Sequence, residues 1–233
     1  MNRVSDGHMT NYRYVRGFAA FFALSMLVAA GSFLLIPHAQ GYFLEEDSLI
    51  ENLTVLLSFF AFLLGVVYAF ENPGERKYLL FIALCGFLGA MEELSFGERL
   101  LHLDMPQLGK YKLDGVHDLF YVTYKNVKNL SRSHGIIVYP VLAAAVLSLA
   151  VYLVRNTGKI RARITASQRA DYVVLVIACV VMVLASQVVD LDEFDGDFLF
   201  MLEEMFELNA AAALIAACLS LDRRFAKARG IER

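Results

Sequence analysis

The sequence predicts an all-α fold, a polytopic transmembrane bundle of about six spanning helices. Apolar residues make up 58% of the 233-residue chain, and the mean hydropathy is positive, which is unusual for a soluble domain of this length. These residues form several long runs rather than one anchor, and the runs are continuous, unlike the alternating pattern of a membrane β-barrel. Lys and Arg concentrate in some of the segments between runs, as they do beside membrane-spanning helices.

Each run is long enough to cross a bilayer. The hydrocarbon core is about 30 Å thick and a helix rises about 1.5 Å per residue, so a span needs roughly 20 residues. The first run follows Arg13 and Arg16 as a signal peptide would, but it is longer and lacks a small-residue cleavage site, so we interpret it as an uncleaved helix. The predicted spans are 17–37, 49–70, 78–101, 135–154, 172–190 and 198–221.

Basic residues predict the topology. They are abundant in the tails 1–16 and 222–233 and in the loops after the second and fourth runs, and short basic loops stay in the cytoplasm. With six spans these four segments share one side, so both termini are predicted to be cytoplasmic. Residues 17–221 then form the membrane domain, with an outer loop at 102–134. That loop is also basic, but the rule weakens for long loops.

Acidic residues gather toward the opposite side and lie inside the predicted spans. Helix rise places Glu92 about 9 Å below the outer hydrocarbon boundary if its span begins at Tyr78. Glu203, Glu204 and Glu207 fall about 7 to 13 Å below the same boundary, and a carboxylate at residue 51 lies just under the rim. Three spans therefore carry carboxylates at a similar depth.

The negative charge of carboxylates inside the membrane must be compensated. An ionised acid near the centre of a span costs about 2.5–3.5 kcal/mol, so we expect protonation, pairing with Arg99, or a bound cation. The spacing of Glu92, Ser95 and Arg99 predicts one helical face, and Glu203 and Glu207 also share a face. The alternative is a hydrogen-bond network that only fixes helix packing.

A predicted metal site combines these acids with the outer loop. Asp114, His117 and Asp118 have the spacing that brings a carboxylate and an imidazole together on a helix. Carboxylates from separate helices with an acid-x-x-His pair are the ligands of carboxylate-bridged metal centres in bundles, which suit zinc, iron or manganese. The predicted ligands are Glu92, Glu93, Asp114, His117, Glu203 and Glu207.

The segment 92–99, EELSFGER, resembles an EExSWGQR signature of a poorly characterised family of bacterial multi-pass membrane proteins. Segments 46–51 and 114–119 and the acidic last span are similar to further features of that family. The resemblance implies a shared site without implying a reaction. This chain departs from the pattern at Phe96, Glu98, Asp114 and Asp118, and the last three add negative charge.

We therefore expect a metal-dependent membrane enzyme, a hydrolase or an oxidoreductase, acting on a lipid or lipid-linked substrate from the outer face of a cell membrane, as in a bacterial inner membrane. Glu51 or Asp118 would act as general base, and Arg99 would hold an anionic head group or orient carboxylates. The alternatives are a cation- or proton-coupled transporter and a non-catalytic membrane assembly partner. The sequence shows no basic segment with interleaved aromatic residues, so it does not indicate nucleic acid as a partner.

Overall fold

The computed structural model describes residues 12–44, 48–95, 107–108, 111–112, 122–127, 129, 148, 155–159, 162, 169–189 and 196–221. These residues are almost entirely helical, which confirms the predicted fold class at that level. One exception is an antiparallel pair of two-residue strands, Gln107–Leu108 and Tyr111–Lys112. The main helices are α1 (Arg13–Leu35), α2 (Gly41–Leu44), α3 (Leu49–Glu71), α4 (Arg76–Glu93), α5 (Ala170–Val189) and α6 (Asp197–Leu221).

Four of these helices, α1, α3, α5 and α6, are long and apolar enough to cross a membrane, so the chain is a membrane protein. Helix α4 packs beside them but carries two charges at each end, Arg76 and Lys77 at its start and Glu92 and Glu93 at its finish. The predicted fourth span, 135–154, lies outside the described residues except for residue 148.

The third predicted span ends earlier than the sequence indicated. Helix α4 stops at Glu93 rather than near residue 101, and Ser95 adopts a left-handed backbone conformation with φ of +46°. A non-glycine residue rarely takes this conformation, and it does not continue a right-handed helix. The prediction that Glu92 and Ser95 share a helical face is therefore wrong, and Arg99 lies outside the described residues.

Helix α6 lies at the centre and contacts α1, α3, α4 and α5. Its small residues bring the neighbouring helices close: Ala213, Ala217 and Cys218 are completely buried against the side chains of α3, α4 and α5. A second apolar group joins α1 and α2 to α6 and includes Phe33 and Met201. Side-chain packing in these two groups thus holds the other helices against α6.

Polar contacts define one end of the bundle. The short 3-10 helix Pro73–Glu75 joins α3 to α4, and Arg169 donates to both carboxylate oxygens of Glu75, at 2.6 and 3.0 Å. Asp171 accepts a hydrogen bond from the backbone N–H of Tyr14 at 3.3 Å. The starts of α1, α4 and α5 therefore lie together. We call this the basic end, defined by Arg13, Arg16, Arg76, Lys77 and Arg169.

Candidate functional site

A cavity of about 170 Å³ lies at the opposite end of the bundle. It is well above the ~10–15 Å³ that one water molecule requires. Four helices contribute to it: α3, α4 with the turn that follows it, α5 and α6. Its lining residues are Glu51, Glu92, Glu93, Ser95, Gln187, Glu203 and Glu207, and the five glutamates define what we call the acidic end.

Glu51 is positioned by the start of α3. Ser48 is the N-cap residue, it is buried, and its hydroxyl oxygen accepts a hydrogen bond from the backbone N–H of Glu51 at 3.1 Å. The Asn52 side chain donates to the Ser48 carbonyl at 2.8 Å. A serine cap followed three residues later by glutamate is a common helix start, and it fixes where the first turn begins. Glu51 therefore enters the cavity from a well-defined first turn.

The last turn of α4 brings two carboxylates into the cavity. Glu92 and Glu93 are the final residues of the helix, and the backbone N–H of Leu94 bonds to the carbonyl of Ala90 at 3.3 Å. The left-handed residue Ser95 follows and also lines the cavity. The end of the helix, rather than a continuous helical face, thus presents these residues.

Helix α6 presents two carboxylates from one face. Glu203 and Glu207 are four residues apart and both line the cavity, as helical spacing predicts. Glu204 does not line it, although its charge acts on Glu93. The rotation of α6 about its axis therefore places Glu203 and Glu207 in the cavity lining and leaves Glu204 outside it.

The carboxyl groups of Glu93 and Glu207 lie close together. An ionised carboxylate only accepts hydrogen bonds, so these two groups can bond to each other only when one of them holds a proton. Glu51 and Glu204 add further negative charge near Glu93. Two like charges 4 Å apart repel by about 4 kcal/mol at an effective dielectric constant of 20. The cavity therefore favours either bound protons or a bound cation.

The structure brings five of the predicted site residues together, Glu51, Glu92, Glu93, Glu203 and Glu207. Their predicted roles stay predictions. Among the described residues, no three His, Cys, Asp or Glu side chains stand close enough to hold a metal ion as arranged. The other predicted site residues, Arg99, Asp114, His117 and Asp118, lie outside the described residues.

Sequence reasoning missed Gln187 as a site residue. It lies near the end of α5, whose preceding residues are otherwise mostly apolar, and it follows Ser186. A neutral polar pair at the end of an apolar span was the available signal. The amide supplies both an oxygen acceptor and two N–H donors, so Gln187 can bind a cation or a carboxylate.

No protein-family model, curated protein or solved structure matches this chain. Function is therefore inferred from the chemistry of the cavity and from its place in a membrane protein. The family resemblance of the EELSFGER segment stays a prediction.

Proposed function

We propose that the acidic cavity binds a divalent cation and is the site of a metal-dependent reaction on a lipid or lipid-linked substrate. One observation carries the proposal: five carboxylates from three helices line a single cavity in a membrane protein. Buried acids of one sign are costly unless protons or a cation compensate them. Carboxylate oxygens are ligands for manganese, and with imidazole they also bind zinc and iron.

The described residues support a division of roles. Glu92, Glu93, Glu203 and Glu207 would be metal ligands, and metal binding would displace any proton that Glu93 and Glu207 share. Glu51 comes from a separate helix and would act as general base. The Gln187 amide would orient a carboxylate or a substrate oxygen.

Residues outside the described ranges complete the proposal. Asp114 and His117 are further predicted ligands, Asp118 is an alternative base, and Arg99 is a partner for an anionic head group. An imidazole ligand would favour zinc or iron over manganese. Hydrolysis would use a metal-activated water, whereas iron would suit oxygen chemistry.

The membrane setting supports a lipid substrate. With six spans and cytoplasmic termini, the basic end faces the cytoplasm and the acidic cavity opens toward the outer face of a bacterial inner membrane. Glu51 lies in the first turn of its helix and Glu93 in the last turn of its own. These positions are near head-group depth, where a lipid's polar part is accessible.

Proton- or cation-coupled transport is a second candidate. The proximity of Glu93 and Glu207 favours it, because two neighbouring carboxyl groups that share a proton can also exchange it. Toward the basic end, however, the described helices are packed with fully buried apolar residues such as Leu79, Ile82 and Leu175. Transport would require these helices to separate.

Metal analysis of the full-length protein in mild detergent tests the proposal. We expect about one metal ion per chain in the wild type, and loss of most of it in Glu92→Gln and Glu207→Gln. Glu71→Gln is the matched control, since Glu71 ends α3 at the basic end and is exposed. It should retain the metal.

Two outcomes would contradict the enzyme proposal. Metal retained in both cavity variants would exclude the cavity as the binding site. Absence of metal from the wild type, together with pH-dependent ion flux in liposomes that Glu207→Gln abolishes, would favour transport.

A further inference from the structure

At the basic end, two cationic side chains share one aromatic ring. The Lys77 Nζ atom lies 4.9 Å and the Arg169 Cζ atom 4.7 Å from the ring centroid of Tyr78. The Tyr78 ring packs edge-on against Tyr172, with centroids 5.3 Å apart. The buried Glu75 carboxylate binds Arg169, and this hydrogen bond raises the pKa of the guanidinium. Arg169 is thus fixed and charged beside Lys77.

Positive charge at this end exceeds negative charge. Among the described residues, no carboxylate forms an ion pair with Arg76 or Lys77, and both side chains are exposed. The Arg76 Cζ atom lies 5.9 Å from the ring centroid of Phe70. Within the described part of this end there are five cations, Arg13, Arg16, Arg76, Lys77 and Arg169, and three carboxylates, Glu71, Glu75 and Asp171. An anion bound here would be attracted by the excess.

An exposed apolar strip continues from these cations along α4. Phe81, Leu84 and Leu88 follow Lys77 at intervals of four, three and four residues, so all four lie on one helical face. Their exposed fractions are 45%, 55% and 41%. From Lys77 to Leu88 the helix rises about 16 Å, close to the ~15 Å of one hydrocarbon leaflet.

We propose that this face is a binding site for an anionic phospholipid. Arg76 and Lys77 bind the phosphate of the head group, and an acyl chain lies along Phe81, Leu84 and Leu88. The apolar strip favours a lipid over a free phosphate ion as the source of the anion. The site lies at the opposite end of the bundle from the acidic cavity, so it does not depend on the function proposed there.

Lipid binding by the purified full-length chain tests this inference. Native mass spectrometry of delipidated protein, titrated with dioleoyl phosphatidylglycerol or dioleoyl phosphatidylcholine, gives the affinity for each. Each cation near an anionic head group contributes a factor of about five, so Arg76→Gln with Lys77→Gln should weaken phosphatidylglycerol binding about 25-fold. The charge-conserving control, Arg76→Lys with Lys77→Arg, should bind nearly as the wild type does.

Measurements on the wild type alone keep the test independent of variant folding. The preference for phosphatidylglycerol should fall as sodium chloride rises, because salt screens exposed charges. Inorganic phosphate at millimolar concentration should not displace the lipid. Equal affinity for the two lipids, full displacement by phosphate, or unchanged binding in the double glutamine variant would each overturn the inference.

Discussion

A single polar side chain inside an apolar helix can determine which helix packs beside it. Asn209 is fully buried in α6; its amide nitrogen donates to the Met205 carbonyl at 2.7 Å. Its side-chain oxygen lies 3.0 Å from the Ser25 hydroxyl of α1. Apolar faces alone give little directional preference between helices in lipid, whereas a hydrogen bond fixes both partners. This bond therefore fixes how α1 docks.

Replacing Ser25 by alanine should lower the free energy of unfolding by about 1 kcal/mol, because the buried oxygen of Asn209 loses its donor. Ser32→Ala is the matched control. Ser32 lies on the same helix, and its hydroxyl is 2.9 Å from the Ala29 carbonyl three residues earlier, just as the Ser25 hydroxyl is 2.9 Å from the Phe22 carbonyl. Reversible unfolding in mixed detergent micelles measures both. Equal decreases in the free energy of unfolding for the two variants would mean that the bond between Ser25 and Asn209 contributes nothing to stability.

At the scale of elements, small residues set the distance between α3 and α4. A Cβ atom built on Gly86 would lie 2.7 Å from the backbone nitrogen of Phe62 and 2.7 Å from the carbonyl oxygen of Ser58. One on Gly65 would lie 2.8 Å from the Leu79 carbonyl oxygen. These obstacles are backbone atoms, so a larger residue must push the helices apart. Since α4 carries Glu92 and Glu93, pushing it away from α3 would also move these two cavity residues away from Glu51.

Gly86→Ala should therefore lower the free energy of unfolding by about 1–3 kcal/mol, the usual cost of overpacking. Gly31→Ala should be neutral or slightly stabilising, because nothing lies within 4 Å of a Cβ atom there and alanine favours a helix. Thermal unfolding in the same detergent compares them. A Gly86 variant as stable as the Gly31 variant would show that the helix pair can separate freely.

At the scale of the whole molecule, the two ends carry opposite charge. The acidic end collects Glu51, Glu92, Glu93, Glu203 and Glu207, and the basic end collects Arg13, Arg16, Arg76, Lys77 and Arg169. Basic segments resist translocation across a membrane, so this division predicts one orientation. The acidic cavity should face away from the cytoplasm.

Reporter fusions test that orientation. Green fluorescent protein fused after residue 233 should fluoresce, and alkaline phosphatase at the same point should be inactive, because both report a cytoplasmic terminus. Phosphatase fused after residue 44, between α1 and α3, should be active. Phosphatase activity at the C-terminus would mean that the predicted orientation is reversed or that the number of spans is odd.

Much of the helical layout could be predicted because span length is set by the bilayer. Predicted spans 49–70 and 198–221 agree with Leu49–Glu71 and Asp197–Leu221 to within one residue at each end. The C-terminal end of α4 could not be predicted, because the left-handed conformation of Ser95 depends on its surroundings rather than on its residue type. Gln187 could not be assigned from the sequence because it is uncharged and lies two residues before the end of its span, where a polar residue is ordinary.

The sequence by itself determined that the chain is helical, that it is a membrane protein, and where its carboxylates lie along each helix. Position along a helix follows from residue number, because every residue adds the same rise. Only the tertiary structure decided that Glu203 and Glu207 line the cavity while Glu204 does not, and that Glu93 lies beside Glu207. The rotation of a helix about its axis and the choice of its neighbours depend on packing against other helices, which no single segment encodes.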